Sequence, residues 1–168
     1  MAWLRLGYLF ATLNKNVNDY YTWKVCDVGS GNGCFIKEAK KVFGYACNYD
    51  LCGDTISQEE LYNTQWDLIF LTDVLEHFED INELFKIHFK YLFISFPETP
   101  RVPDWHILQD LKYRHFRPNE HIYMLNANGM VKWMDDNNYA LLKQCNIEDT
   151  LRKSLLDTNI TTQIYRKW

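Results

Sequence analysis

The chain has 168 residues, a length that suits one compact domain, and we expect that domain to span residues 1–168. Its composition, 47% hydrophobic and 24% charged, is typical of a globular protein and excludes a mostly disordered chain. The formal net charge of −4 gives no support to nucleic-acid binding, and no run approaches the roughly 20 apolar residues that a membrane-spanning helix needs.

Cysteine usage and the N-terminal segment indicate a cellular compartment. The five cysteines are an odd number without a Cys-x-x-Cys pair, so they suggest neither a disulfide framework nor a zinc knuckle. The apolar segment at the N-terminus is interrupted by Arg5 and lacks a small-residue cleavage site, so we interpret it as a helix and not as a signal sequence. We therefore expect a cytoplasmic protein in a reducing environment.

Strands and helices are predicted to alternate along the chain, which is the pattern of an α/β fold. Strands are predicted from short β-branched or aromatic runs bounded by turn residues, and helices from apolar residues three and four positions apart. The predicted strands cover residues 24–28, 45–49, 67–71, 91–96, 139–147 and 159–166. The predicted helices cover residues 2–13, 34–43, 57–62, 80–89 and 126–137.

Two features predict how these strands are arranged. The strand over residues 67–71 is apolar from residue 68 to its end, which indicates a central position in a parallel sheet with both faces covered. The last two strands are joined by a short connection, so we expect them to be antiparallel.

The most informative segment is a strand that runs into three glycines, at positions 29, 31 and 33, and then into a helix. Glycine lets the backbone turn sharply and lets a ligand approach closely, while the N-terminus of the following helix attracts an anion. Asp50 ends the next strand, where an acidic side chain can accept hydrogen bonds from both hydroxyls of a ribose. Together the two features predict a nucleoside cofactor.

The glycine register indicates which nucleoside. A dinucleotide-binding loop has the pattern Gly-x-Gly-x-x-Gly, whereas position 34 here is Cys34 and the pattern is Gly-x-Gly-x-Gly. Asp27, two residues before the first glycine, would repel a pyrophosphate and attract an ammonium group. A nicotinamide dehydrogenase is therefore disfavoured, and a nucleoside that carries an amino acid is favoured.

These residues resemble the first motif of the class I S-adenosylmethionine (SAM) dependent methyltransferases. Residues 66–78, with the sequence Asp-Val-Leu-Glu-His at 73–77, are similar to the next strand of that family, and residues 93–97 to the strand after it. Residues 115–123 resemble a His-Phe-x-Pro-x-Glu-His stretch of a small-molecule subgroup, the methyltransferase domain 23/11 type, with many bacterial and bacteriophage members. The resemblance implies a three-layer α/β/α Rossmann-like sheet, mostly parallel, with an antiparallel C-terminal strand pair.

The resemblance also implies SAM as the cofactor and S-adenosylhomocysteine (SAH) as its product. It assigns contacts with the cofactor to Asp27, Gly29, Ser30, Gly31, Gly33, Asp50, Leu51, Thr72 and Asp73. The family usually places a full helix and a third strand between the positions of Asp50 and Trp66, where this chain has 15 residues. We therefore expect the third strand to be reduced or missing.

Two histidines are the candidate catalytic residues. Methyl transfer mainly requires alignment of the acceptor, but an oxygen acceptor must also lose a proton, and His77 and His121 are placed to receive it. Two other interpretations of this segment stay open: Asp73 and Glu76 form a capping box beside a His77 that only packs, or these three residues share a helical face and hold a divalent metal. The sequence alone assigns no metal.

A cluster of basic residues follows the fourth predicted strand. His106, His115 and His121 lie there, together with Lys112, Arg114 and Arg117. Such a segment overhangs the ligand crevice in this architecture, so we hypothesise a substrate lid that anchors a polar or anionic acceptor on Arg114 and Arg117. A solvated loop with ordinary surface charges is the alternative. His88 and Cys34 are interpreted as packing residues.

The expected function is SAM-dependent methyl transfer to an oxygen of a small-molecule or sugar acceptor, in the cytoplasm of a bacterial or phage-infected cell, without nucleic-acid or membrane partners. After the central strand, Thr72-Asp73-Val74-Leu75 stands where a base-amino methyltransferase has its Pro-Pro motif, and the Pro-Cys nucleophile of a cytosine enzyme is absent. The alternative is a SAM-binding module without catalysis that serves as a sensor or an assembly partner.

Overall fold

A computed structural model of the chain describes residues 1–53, 55–99, 106, 115, 117, 119–151 and 159–168. Its strands are β1 Lys24–Val28, β2 Tyr45–Tyr49, β3 Gln65–Thr72, β4 His88–Pro97, β5 Tyr139–Cys145 and β6 Ile160–Lys167. Its α-helices are α1 Ala2–Leu13, α2 Val17–Tyr20, α3 Cys34–Ala39, α4 Gln58–Asn63 and α5 Ala127–Asp136. Its 3-10 helices are Leu75–His77, Ile81–Lys86 and Ile147–Thr150.

The strands form one mixed sheet in the order β2-β1-β3-β4-β6-β5. β1 pairs in parallel with β2 and β3, and β3 pairs in parallel with β4, whereas β6 is antiparallel to both β4 and β5. The expected α/β sheet with an antiparallel C-terminal pair is confirmed. In the described part of the chain β2 is an edge strand, which confirms the loss of the third strand, because the segment before β3 contributes only α4.

Both faces of the sheet are covered, which explains why the middle of β3, residues 68–71, is apolar at every position. Leu68 and Phe70 point into a core shared with α1 and α3, and Ile69 and Leu71 point into the opposite core, which α4 and α5 cover. Successive residues of a strand face opposite sides, so a strand between two helical layers needs apolar residues at every position. Among the described residues, each helix is too short or too polar to span a bilayer.

Several predicted elements have bounds that differ from those in the structure. The helix expected over residues 80–89 is the shorter 3-10 helix Ile81–Lys86, and His88 is an exposed residue that begins β4, not a packing residue of a helix. The pairing of Gln65 with His88 lengthens β4 toward its start, so strand pairing overrides the helical pattern there. α3 ends at Ala39 instead of position 43, and β5 ends at Cys145 instead of position 147.

A buried ion pair fastens α1 to the segment before β6. Arg5 donates from Nε and Nη2 to the two carboxylate oxygens of Glu148, at 2.8 and 3.0 Å, and from Nη1 to Thr72 Oγ1 at 3.2 Å. The Glu148 side chain is fully buried and that of Arg5 is 12% exposed. The first helix is therefore tied both to the C-terminal part of the sheet and to the carboxyl end of β3.

We expect Glu148→Ala to lower the free energy of unfolding by about 3–5 kcal/mol, because it leaves the buried Arg5 charge without its partner. The double variant Arg5→Met/Glu148→Leu should regain most of this loss, since apolar side chains can fill a buried ion-pair site. Denaturant unfolding measures both. Glu38→Ala, which removes the more exposed ion pair with Lys41, is the control and should cost less than about 1 kcal/mol. Equal effects of Glu148→Ala and Glu38→Ala would contradict the prediction.

Candidate functional site

Two clefts open where the carboxyl ends of the parallel strands meet. The larger has a volume of about 660 Å³ and is lined by residues that include Asp50, Tyr62 and His77. The smaller, of about 490 Å³, is lined by residues that include Arg5, Asp27 and Thr72. Gly29 and Asp73 line both clefts, so the clefts adjoin across the glycine turn. The carboxyl edge of an open α/β sheet is where ligands bind in this architecture.

The turn after β1 requires glycine at position 29. Gly29 has a φ of +71°, and a Cβ built on it would lie 2.3 Å from Cγ2 of Val74. Its amide donates to Tyr49 O at 2.8 Å, which fixes the turn against the end of β2. Gly31 and Gly33 also have positive φ values, of +53° and +69°. The three glycines therefore bend the chain tightly between the two clefts, as the sequence predicted for a ligand-binding loop.

Asp50 connects this turn to the larger cleft. Its Oδ2 accepts from the Gly31 amide at 2.9 Å, and its Oδ1 accepts from the Cys52 amide at 3.4 Å. Ser30 accepts from Asn48 through its hydroxyl, at 3.1 Å, and so binds the turn to β2 as well. Leu51 lines the larger cleft but is 89% exposed. The predicted ribose and adenine residues thus lie along one wall of that cleft.

Asp27 lies in the wall of the smaller cleft and is 2% exposed. Its Oδ1 is buried and has no hydrogen-bond partner among the described residues. Burial raises the pKa of Asp27 to about 7, against the lowering effect of Arg5 and with a further rise from the charge of Asp50. A buried carboxylate oxygen without a donor is costly, so this position suits a cationic ligand group that donates to it.

The residues after β3 continue the wall between the clefts. Thr72 ends β3, and its hydroxyl accepts from Arg5. Asp73 has a φ of +57°, in the left-handed region that a non-glycine residue rarely occupies, and its amide donates to Ser95 O at 2.9 Å. This strained turn directs the chain away from the sheet and along the edge of the larger cleft.

The capping-box interpretation of this segment is wrong. The 3-10 helix Leu75–His77 has Val74 at its N-cap and no side-chain cap hydrogen bond. Glu76 is instead 2% exposed, and its Oε2 is buried without a hydrogen-bond partner in the described part of the chain. Burial raises the pKa of Glu76 to about 8. A hydrogen bond to its own backbone opposes this rise, and the charge of Asp73 adds to it. Glu76 is therefore a buried carboxyl group without the role of a cap.

The structure brings the two predicted catalytic histidines together. The rings of His77 and His121 lie 4.7 Å apart between centroids, at an angle of 84°. Ile122 and Tyr123 donate backbone hydrogen bonds to Glu76 O, at 2.8 and 3.2 Å, and so join the two segments. Burial, and then the charge of His77, lower the pKa of His121.

The structure keeps two of the three predicted metal ligands, Glu76 and His77, beside this histidine pair. One ligand atom each from Glu76, His77 and His121 lies within 4.8 Å of the others. His121 thus takes the place that Asp73 had in the predicted metal-ligand set, because a 3-10 turn and not an α-helix follows β3.

The basic segment is described only in part. Arg117 forms an ion pair with Glu120 at 2.8 Å, and its carbonyl accepts from the amide of His121. Lys112 and Arg114 lie outside the described residues, so the lid remains a prediction. Arg5 is a lining residue that the sequence analysis missed, although a single charge within an apolar helix was the available signal.

Comparisons with known proteins agree with this geometry. A family model described as a methyltransferase domain matches residues 5–144, whereas no curated protein matches the chain. The magnesium protoporphyrin IX methyltransferase of Synechocystis PCC 6803, with SAH bound, superposes with a TM-score of 0.62 at 13% identity, over 98% of this chain and 83% of its own. A SAM-dependent methyltransferase from Mesorhizobium loti superposes with a TM-score of 0.59 at 14% identity, over 87% of this chain and 91% of its own. A SAM-dependent methyltransferase from Archaeoglobus fulgidus superposes with a TM-score of 0.55 at 16% identity, over 96% of this chain and 94% of its own. At these identities the similarity shows a shared fold.

We expect Gly29→Ala to weaken SAM binding at least 10-fold, because the added methyl group would collide with Val74 and the backbone would be strained at positive φ. Gly29→Ala/Val74→Ala removes the two nearest methyl groups and should restore part of the affinity. Calorimetric titration with SAM gives these constants. Gly7→Ala, in open space on α1, is the control and should bind SAM as the natural chain does. Unchanged binding by Gly29→Ala would contradict the close approach.

We expect Asp27→Asn to make the ligand-free protein more stable above pH 7 and to weaken SAM binding. The raised pKa means that the folded state keeps a proton that the unfolded state has lost, so this group's stabilisation is complete below about pH 4 and disappears as pH rises through about 7. The amide cannot titrate, so the variant should gain up to about 4 kcal/mol over the natural chain at pH 8. Denaturant unfolding between pH 4 and 8 measures this gain. Asp136→Asn, an exposed carboxylate, is the control; equal pH profiles for Asp27→Asn and the natural chain would contradict the prediction.

Proposed function

The chain belongs to the methyltransferase domain family, and on this basis we propose that it transfers the methyl group of SAM to an oxygen of a small-molecule or sugar acceptor. The family and fold support a SAM-dependent methyltransferase of the general class, with SAM as the cofactor. We also propose the class of acceptor and the roles of the site residues.

The residues of the two clefts fit SAM. The unpartnered oxygen of Asp27 suits the ammonium group of the amino-acid portion, the turn at Gly29 leaves room that a Cβ would fill, and the carboxylate of Asp50 can accept from ribose hydroxyls. Leu51 is proposed to contact the adenine. The proposal rests on the spatial order of three groups along one edge of the sheet: a buried carboxylate, a glycine turn and a second carboxylate.

The remaining residues supply position and proton transfer. SAM, when bound, supplies a methyl group on a positively charged sulfur. Asp50 and Asp73 place negative charge around the clefts and so favour a cationic cofactor, whose charge would also stabilise the charged form of Asp27. Thr72, whose hydroxyl accepts from Arg5, lines the smaller cleft beside Asp27. His77 lines the larger cleft, and the pair that it forms with His121 is proposed to take up the proton that the acceptor hydroxyl loses.

The size and charge of the clefts support a small acceptor. Volumes of several hundred Å³ match a small molecule. Glu79, Asp80 and Glu83 line the larger cleft and would repel phosphate groups, which agrees with the expectation that nucleic acid is not the substrate. The same carboxylates favour a neutral acceptor in that cleft over an anionic one. The Synechocystis neighbour is named for a small-molecule acceptor, magnesium protoporphyrin IX.

The proposal is tested by SAM and SAH titration of the purified chain, followed by a screen of sugars and phenols in which release of SAH is measured. Binding of SAM and turnover with a hydroxyl acceptor are the expected results. Binding of SAM without turnover on any hydroxyl would favour the alternative, a SAM-binding sensor or assembly module. Absence of SAM binding would overturn both.

We expect His77→Ala to lower kcat at least 100-fold on the acceptor that the screen identifies, because the proton acceptor is lost. The dissociation constant of SAM should change less than about threefold, since the predicted cofactor contacts stay in place. Steady-state kinetics and calorimetry give the two quantities. His88→Ala, at an exposed position that begins β4, is the control and should keep both. Unchanged turnover in His77→Ala would remove this histidine from the chemistry.

A further inference from the structure

We propose that Glu76, His77 and His121 form a binding site for one divalent first-row transition-metal ion, such as Zn²⁺, Mn²⁺ or Co²⁺. Glu76 and His77 come from the 3-10 helix after β3, and His121 comes from the segment before α5, far away in the chain. The inference goes beyond the proposed methyl transfer and does not require it.

The spacing of the ligand atoms suits a single ion. One ligand atom from each residue lies within 4.8 Å of the other two. Ligands bound at about 2.0–2.2 Å from an ion lie about 3–4 Å apart, so small side-chain rotations would bring all three onto one ion. Backbone hydrogen bonds from Ile122 and Tyr123 to Glu76 O hold the two segments at this separation.

Both imidazole rings are oriented by backbone hydrogen bonds. Nδ1 of His77 donates to Glu120 O at 2.7 Å, which leaves Nε2 as the nitrogen with a free lone pair. The His121 ring is hydrogen-bonded to the backbone of His115. Metal-bound histidines typically donate their other N–H to a carbonyl or carboxylate in this way, and the bond fixes both ring orientation and tautomer.

An independent observation comes from Glu76. Its side chain is 2% exposed, and its Oε2 has no hydrogen-bond partner among the described residues. A buried carboxylate oxygen without a donor is unfavourable unless a cation or a donor satisfies it. The imidazoles of His77 and His121 lie beside this carboxylate, and each can donate a lone pair to a metal ion. A metal ion bound between the three side chains would therefore satisfy all of them.

The chemistry of the ligands selects the class of ion. Mg²⁺ and Ca²⁺ prefer sets of oxygen atoms, whereas two imidazoles and one carboxylate suit Zn²⁺ and its first-row neighbours. Three protein ligands leave a coordination position open, which is typical of catalytic metal sites. His77 lines the larger cleft, so that open position would be near the acceptor. If the proposed function holds, the ion would lower the pKa of an acceptor hydroxyl. Because a metal-bound imidazole has no lone pair left for a proton, the ion would then replace the histidine pair as the group that activates this hydroxyl.

The test is titration of the metal-free, tag-free chain with Co²⁺, whose visible absorption bands report the ligand set. We expect one equivalent to bind with the intensity of a four- or five-coordinate site, and one equivalent of Zn²⁺ to displace it. Glu76→Gln and His121→Ala should each weaken Co²⁺ binding at least 100-fold, whereas His88→Ala should bind as the natural chain does. Failure of the natural chain to bind Co²⁺, or equal binding by Glu76→Gln, would overturn the proposal.

Two further measurements make these outcomes decisive. Circular dichroism and SAM titration of each variant show whether it folds. If His121→Ala does not fold, Glu76→Gln, which keeps the shape of the side chain, still tests the metal site. Displacement of Co²⁺ by Mg²⁺ at an equal concentration would overturn the assignment to a transition metal. The absorption requires neither SAM nor an acceptor, so a failed metal site and a failed methyltransferase assignment are distinguishable.

Discussion

The packing of Val74 against the backbone of Gly29 is the contact on which the site depends. A Cβ at position 29 would come within 2.3 Å of the Val74 side chain, so only glycine lets the turn after β1 and the turn after β3 approach so closely. On one side of this contact lie Asp27 and the smaller cleft, and on the other lie His77 and the larger cleft. The proposed cofactor end and the proposed acceptor end of the site therefore share one wall.

Two buried carboxyl groups, Asp27 in the smaller cleft and Glu76 next to His77 of the larger cleft, each have one oxygen without a hydrogen-bond partner among the described residues. Their burial disfavours the charged form, which explains the raised pKa of each. Such groups lower the free energy of unfolding of the ligand-free protein. A cationic ligand that binds only the folded state would raise it again. The protein thus combines an unfavourable local arrangement at its site with a sheet that is well buried on both faces, a combination typical of functional sites.

The shortened segment before β3 shapes the larger cleft. In the described ranges no strand lies beyond β2, so the wall on that side is made by Asp50, Leu51 and α4, and Leu51 is almost fully exposed. Asp50 nevertheless keeps its place because its carboxylate accepts hydrogen bonds from the glycine turn and from Cys52. The polar part of the proposed nucleoside site is therefore held by the loop itself, while its apolar cover is reduced.

The sequence by itself determined the features that depend on neighbouring residues: the glycine turn with Asp27 before it, Asp50 at the end of β2, and the apolar middle of β3. Each follows from local spacing, so the fold class and a nucleoside cofactor were predictable, whereas SAM and the missing strand were implied by the family that these residues resemble. Only the tertiary structure brought His121 to His77, tied Arg5 to Glu148 and replaced the expected helix end at His88 by a strand. These contacts join residues far apart in the chain, and strand pairing and burial, which no local pattern encodes, decide which of them meet.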